Sequence, residues 1–346
     1  MNHLVFALIS SDNPLPIPAP IGLLEILIVL TFILHIIFVN FTISLTAGAV
    51  GLEITGMMKK NSLFDKMAQI CSFHASIHKS IAVVLGVGPL LIVSVLYTQY
   101  FYSSTILIGK AWMSLLILLI AAFLLLYIYK FTWVKFQTNK LLHLSIGLLA
   151  MLILFFVPLI FIVNVTSMLY PDRWGEANGF FESLFYYPQI WQRYLHFMLA
   201  SLATGGFYMF VYFAYLKRKQ KKLEQHEQAL KLFGAKVGFW ITITQLVTGF
   251  LLLFSFNTNI RMLYLGEDLL LTSLLIISIV LTVILCMLLY AAGYKDSANS
   301  FLASILVFMF VIGIMGWMRH ELREAYLSPY LDEHPRTEER LESTLK

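Results

Sequence analysis

The fold is decided by the stretch from Arg193 to Gly206, which reads RYLHFMLASLATGG. It begins an apolar segment of roughly membrane-spanning length, places His196 a turn or two inside that segment, and continues with small residues. Hydrocarbon penalises polar groups without partners, so an ionisable side chain within a membrane helix indicates a functional site. Small residues let another helix, or a flat group, come close. A second segment has the same plan, with His35 followed by the small run from Thr46 to Ala49.

The composition places the chain among membrane proteins. Hydrophobic residues make up 59% of the 346 residues and charged residues only 12%, and the mean hydropathy is +0.81. An ordinary soluble chain is about a quarter charged. The apolar runs are continuous, whereas a membrane β-barrel needs alternating segments of about ten residues, so the sequence predicts helices. The net charge of +5 does not indicate a nucleic-acid partner, because the basic residues flank apolar segments.

Eight apolar runs predict an all-α fold, a polytopic membrane bundle of eight transmembrane helices. The runs cover residues 21–51, 81–97, 111–131, 144–168, 194–216, 237–256, 269–293 and 301–318. The first and fifth runs each carry a His before small residues, which suggests two four-helix halves. We predict three parts: an N-terminal extracytoplasmic segment (1–20), the transmembrane bundle (21–331) and a charged extracytoplasmic tail (332–346).

The charges of the loops predict the orientation of the bundle. Lysine and arginine concentrate in the loops after the odd-numbered runs, above all in residues 217–222, and the alternate loops are poorer in bases or acidic. Because cytoplasmic loops carry the excess of basic residues, both termini are predicted to be extracytoplasmic. We expect a multi-pass protein of a bacterial cytoplasmic membrane.

This topology sorts the candidate ligands by depth. The outer layer contains five of them: His35, His196, Met262, His320 and Glu321. Imidazole and thioether are natural ligands of haem iron, and a carboxylate is a harder alternative. An arginine at the same depth can pair with a haem propionate, which is otherwise an expensive buried anion. Four arginines are placed for that role: Arg193, Arg261, Arg319 and Arg323.

Each candidate also has an ordinary structural interpretation. A single His in a helix bundle can hydrogen-bond a neighbouring helix, and most of the 14 methionines fill gaps in apolar packing. His320 can equally be a solvated helix end. An inner layer of His74, His78 and His143 fits interfacial polar residues better than iron ligands. The convergence of the outer residues on one depth is what favours a haem site.

Local patterns then resemble subunit I of the cytochrome bd-type quinol oxidases. The stretch from Leu34 to Thr42 (LHIIFVNFT) is similar to the first-helix motif, whose His ligates the high-spin haem. Residues 193–196 resemble the fifth-helix motif, whose His ligates the low-spin haem b, and residues 260–262 resemble the start of the seventh helix, whose Met is the second ligand. Residues 162–168 resemble the end of the fourth helix.

The last apolar run resembles the family in its Gly316-Trp317 pair, followed by Glu321 and Arg323, where a Glu of the family ligates the third haem. The resemblance implies one to three haem b groups, with a high-spin or d-type haem left open. It also implies membrane quinol as a substrate, within the lipid bilayer. A second membrane subunit or a c-type cytochrome at the extracytoplasmic face is the partner it suggests.

The sequence also departs from the family. Residues 322–326 read LREAY where the family has Gly-Arg-Gln-Pro-Trp, and the link between the sixth and seventh runs is only residues 257–268, without a long quinol-oxidising loop. The acidic pair of the family's second helix and its ninth helix are not visible. The departures concern oxygen reduction and the quinol site more than haem ligation.

Three hypotheses follow from these observations. The first is a haem-b electron-transfer subunit, a quinol oxidoreductase that exchanges electrons between membrane quinol and a redox protein at the outer face. The second is a cytochrome bd-like oxidase that reduces oxygen. The third is a haem-free transporter or assembly subunit, for which residues 86–89 (GVGP) predict a broken second helix.

Overall fold

The computed structural model describes residues 17–295 and 300–333, and the regular structure within these ranges is helical. Eight helices are long and apolar enough to cross a membrane, which confirms the predicted eight-helix bundle. They are α1 (Ile21–Lys59), α2 (Ser62–Leu96), α3 (Gly109–Phe131), α4 (Lys140–Met168), α5 (Ile190–Gln220), α6 (Gln225–Phe254), α7 (Leu269–Tyr294) and α8 (Ser300–Glu333). The predicted N-terminal segment and charged tail lie almost wholly outside the described residues.

Short elements connect the long helices at one end of the bundle. They are the α-helices Thr98–Leu107, Phe180–Tyr186 and Thr258–Met262, the 3₁₀ helix Pro171–Glu176 and the π-helical turn Leu263–Glu267. This end also holds the first turn of α1 and the last turns of α8. We call it the outer end and the opposite end the inner end, following the orientation predicted from the loop charges.

Several helices are longer than the predicted runs. The 39 residues of α1 correspond to about 58 Å, about twice the thickness of a bilayer's hydrocarbon core. The second run was predicted to begin at residue 81, but α2 begins at Ser62. Its inner half contains polar and charged residues, His74, His78 and Lys79 among them, which interrupt the apolar signal although all three are buried.

The predicted break in the second helix is absent, because α2 is helical throughout Gly86–Pro89. The two glycines instead allow α1 to come close. A Cβ at Gly86 would lie 2.8 Å from Cε1 of His35, and one at Gly88 would lie 3.2 Å from Cγ2 of Thr31. The glycines of this segment therefore serve helix packing around His35.

The small residues after His196 also serve helix packing. A Cβ at Gly205 would overlap the side chain of Ser44 on α1, and one at Gly206 would lie 2.6 Å from the backbone nitrogen of Gly238 on α6. The hydroxyl of Ser201 donates to Oδ1 of Asn40 at 2.8 Å. Helix α5 is thus held between α1 and α6 and joins the two halves of the bundle.

We predict that Gly206→Ala lowers the thermal stability of the protein, because its methyl group has no room against α6. Overpacking of this kind costs about 1–3 kcal/mol. The matched control is Gly313→Ala on α8, where nothing lies within 4 Å of the added Cβ. That control should be neutral or slightly stabilising, since Ala favours a helix over Gly. Equal melting temperatures for the two variants would contradict the packing argument.

Candidate functional site

Three arginines gather at the outer end of the bundle, of which Arg323 is buried and Arg193 and Arg319 are half-buried. Arg193 begins α5, and Arg319 and Arg323 lie on α8, where Arg319 is within electrostatic range of both others. Each guanidinium faces an aromatic ring: Arg193 lies 5.5 Å from Phe256, Arg319 lies 4.0 Å from Phe32, and Arg323 lies 4.9 Å from Tyr97. The ion pairs found among the described residues involve none of the three.

The environment of Arg323 is unusual for a charged side chain. It is only 6% exposed, and its Nε and Nη1 atoms are buried without a hydrogen-bond partner in the described structure. Cation–π contact with Tyr97 offsets only a small part of the cost of burying a cation. This cluster of arginines therefore has unused capacity to bind an anionic group.

A hydrogen-bond network fixes the entry of α5 beside this cluster. Gln189 has a left-handed backbone (φ 67°) and precedes the helix. Its Nε2 donates to the hydroxyls of Tyr170 and Tyr326 at 3.0 and 3.1 Å, and its Oε1 accepts from Arg193 at 2.9 Å. Burial is the main cause that raises the pKa of Tyr170, which keeps its hydroxyl protonated and able to donate to Tyr326.

His320 on α8 lies with two carboxylates at the same end. Three possible metal-ligand atoms, a ring nitrogen of His320 and one carboxylate oxygen each of Glu25 and Glu324, lie within 4.8 Å of one another. His320 is 5% exposed, its ring is 5.5 Å from that of Trp317, and Glu324 accepts a hydrogen bond from Tyr97. The sequence predicted His320 as a candidate but missed Glu25 and Glu324. Glu321 is half-buried on another face of the same helix.

His35 is oriented by a hydrogen bond to the neighbouring helix α2. Its Nδ1 lies 2.9 Å from the carbonyl oxygen of Ala82 on α2. A carbonyl only accepts, so Nδ1 carries the proton and Nε2 keeps its lone pair. Metal-binding histidines commonly fix their second nitrogen in this way. Gly86 supplies the space beside the ring.

His196 lies between α5 and α6, where its ring meets Gly249 and Thr248. The Thr248 hydroxyl lies 3.1 Å from the carbonyl oxygen of Gln245 and 3.5 Å from Nδ1 of His196. Because a hydroxyl can donate or accept, this long contact leaves the tautomer of His196 open. A Cβ at Gly249 would lie 3.4 Å from Cε1 of His196.

Met262 ends the short helix Thr258–Met262 and is half-buried just before the π-helical turn. The neighbouring Arg261 is half-buried and donates to the carbonyl of Phe254 at 3.4 Å.

Two histidines of the predicted inner layer lie side by side on α2. His74 and His78 are one turn apart, with ring centroids 6.3 Å apart, and both face Tyr208 of α5. The Tyr208 hydroxyl lies 2.8 Å from Nδ1 of His74, whereas neither nitrogen of His78 has a hydrogen-bond partner within the described ranges. Their burial is more complete than the interfacial position expected from the sequence.

The third inner histidine, His143, belongs to a different arrangement. Its Nδ1 lies 2.7 Å from Oε1 of Glu53, and its Nε2 lies 2.9 Å from the carbonyl oxygen of Tyr129. The Tyr129 hydroxyl donates to Oε2 of the same Glu53 at 2.7 Å. These three side chains are at most 2% exposed. Both nitrogens of His143 are engaged, so we assign no metal to it.

Glu53 was not among the residues predicted from the sequence. It lies two residues beyond the predicted end of the first run, in the part of α1 that extends past it. The signal for Glu53 in the sequence would have been a charged residue among apolar neighbours, at helical spacing from the residues of the first run. Tyr97, the last residue of the second predicted run, is 1% exposed and contacts both Glu324 and Arg323.

Comparison with solved structures places this geometry in a known fold. The chain is similar to the structure of bd oxidase from Geobacillus thermodenitrificans, with a TM-score of 0.65, 14% sequence identity, and coverage of 91% of this chain and 88% of that chain. No protein-family model and no curated protein matches the sequence. The likeness confirms, at the level of the fold, the resemblance that the sequence patterns predicted.

We predict that Glu53→Leu strongly destabilises the protein, because it leaves the imidazole of His143 and the hydroxyl of Tyr129 buried without their partner. Breaking a buried pair in this way costs about 3–5 kcal/mol. Glu53→Gln should cost less, because the amide can accept from Tyr129 and donate to Nδ1 of His143. Unfolding in detergent measures both; similar losses for Leu and Gln would show that the contacts of Glu53 matter little.

Proposed function

We propose that this protein is a haem-b membrane oxidoreductase that exchanges electrons between membrane quinol and a redox protein at its outer face. The observation that supports it best is the arginine cluster at the outer end, together with the imidazole of His35, whose Nε2 lone pair is available. Both features are costly in an apolar bundle.

The side chains of this region are of the types that bind haem: arginines for its propionates, and histidine and methionine for its iron. Arg193, Arg319 and Arg323 would bind propionates through charge-assisted hydrogen bonds, which offset the cost of burying the guanidinium groups. Histidine and methionine are haem ligands, and a His/Met pair raises the potential of the iron relative to two histidines. When bound, haem supplies a one-electron redox centre, while the protein sets its potential through the ligands and the surrounding charges.

The residues divide among one to three haem groups. His196 and Met262 would hold a low-spin haem b, with Arg261 at its edge. His35 would ligate a second haem, of high-spin or d type. His320, or the less buried Glu321, would serve a third haem or the other face of the second. The partner at the outer face would be a c-type cytochrome or a second membrane subunit, in a bacterial cytoplasmic membrane.

Oxygen reduction is a second candidate, supported by the similarity of the fold to a bd oxidase over 91% of this chain. Oxygen consumption by the purified protein, driven by a soluble quinol analogue, separates the two functions. Consumption that is abolished by His35→Ala supports the oxidase. The haem-free transporter is less favoured, because α2 runs without a break through residues 86–89.

We predict that the purified protein shows a b-type α band in a reduced-minus-oxidised spectrum, and that His196→Ala removes its low-spin component. A pyridine haemochrome assay should show a matching loss of haem per chain. His226→Ala is the control, since His226 lies in the first turn of α6 at the inner end and contacts Glu224. A spectrum without haem in the wild-type protein would end the proposal.

We predict opposite effects of Arg323→Met on cofactor content and on the haem-free protein. Haem per chain should fall, because a propionate loses its partner. The haem-free protein should melt at a higher temperature, because a buried cation is replaced by an apolar chain of similar length. Arg218→Met, at the inner end over Phe301, is the control. Unchanged haem content in Arg323→Met would contradict a propionate at this arginine.

A further inference from the structure

At the inner end, the hydrogen-bond geometry of the Glu53–His143 pair limits how many protons the pair can hold. Nε2 of His143 faces the carbonyl of Tyr129, so it must carry a proton. Oε2 of Glu53 accepts from the hydroxyl of Tyr129. The remaining contact, between Nδ1 and Oε1 at 2.7 Å, requires one proton between the two atoms. The pair is therefore either imidazolium with carboxylate or imidazole with carboxylic acid.

Both forms of the pair are neutral overall. Loss of the shared proton would leave two lone pairs facing each other and an uncompensated buried anion, which is costly. A second proton has a place to bind, because Oε2 of Glu53 can become a donor when the hydroxyl of Tyr129 rotates to accept, and the positive charge that results lies at the wall of a cavity that Glu53 and His143 both line. The side chains thus permit a protonation change without a rearrangement of the helices.

A cavity connects this buried pair to the edge of the bundle. It has a volume of about 250 Å³, and both Glu53 and His143 line it. Its other lining residues include Ser62, Lys66 and Gln137, which are exposed. A volume of this size accommodates several water molecules. A buried ion pair that served only to hold helices together would not need this opening.

Titratable side chains face the pair from the elements that pack around it. From α2 come Asp65, Lys66 and the thiol of Cys71, from α3 comes Tyr129, and from the start of α4 comes Lys140. Asp65 and Lys140 form an ion pair with each other in the wall of the cavity. They neutralise one another, so the net charge near Glu53 is set by its own pair and by Lys66.

We propose that Glu53 and His143 form a proton-binding site that exchanges with the aqueous phase at the inner end through this cavity. Glu53 is the group that gains and loses the proton, His143 is its partner, and Tyr129 follows by rotating its hydroxyl. The site is independent of the proposed haem function, because it rests on residues at the opposite end of the bundle.

Infrared difference spectroscopy of the full-length protein after a pH jump tests this proposal. The wild-type protein should show a carboxylate band exchanging with the carbonyl stretch of a protonated carboxyl group. Glu53→Gln should lose both bands. Tyr129→Phe should retain them at a shifted frequency, because the hydroxyl bonded to Oε2 is gone. Asp65→Asn, in the same cavity wall, should leave them in place. Bands that persist in Glu53→Gln would overturn the proposal.

The rate of the spectral change tests access through the cavity. Ser62→Trp at its mouth should slow the change severalfold, whereas Met58→Trp, at the exposed inner end but outside the cavity lining, should not. Equal rates in the two tryptophan variants would overturn the route through the cavity. Neither substitution touches Glu53 or His143, so this readout does not depend on a variant that damages the pair.

Discussion

The surrounding hydrocarbon offers no water to a polar group, so the polar side chains of the bundle need partners within the protein. Hydroxyls meet this constraint locally. Thr42, Ser44 and Thr46 each donate to the carbonyl one turn earlier in α1, at 2.7–2.8 Å. These bonds satisfy the hydroxyls within α1, and small residues such as Gly205 let α5 pack closely against it.

Against this background of satisfied groups, the exceptions carry information. Arg323 has buried nitrogens without partners, and both nitrogens of His78 are in the same condition within the described structure. Burying an unpartnered polar group costs several kcal/mol at most sites. Such a cost is consistent with a bound group that completes the hydrogen bonds. Glu53, His143 and Tyr129 show the opposite condition, because each of their polar side-chain atoms has a partner.

The sequence predicts the helices well because a spanning segment must be apolar over its whole length, and eight such runs are visible. It predicts helix ends poorly where a helix leaves the hydrocarbon, which is why α2 began 19 residues earlier than expected. The sequence does not predict contacts between residues that are far apart in the chain. Glu53 and His143 are 90 residues apart, and Tyr97 and Glu324 are 227 apart. Only the packing of the helices brings them together, and periodicity within one helix does not encode it.

The two ends of the bundle differ in how their charged side chains are paired. At the outer end Arg319 is within electrostatic range of Arg193 and Arg323, and the ion pairs found in the described part of the chain include none of the three, so an anion placed among them would be stabilised. At the inner end Glu53 is paired with His143 and Asp65 with Lys140, while basic residues such as Lys219 and Lys221 lie exposed to solvent. The proposed anion-binding and proton-binding sites therefore lie at opposite ends of the bundle, and the attraction between a negative charge at one site and a proton at the other falls with that separation.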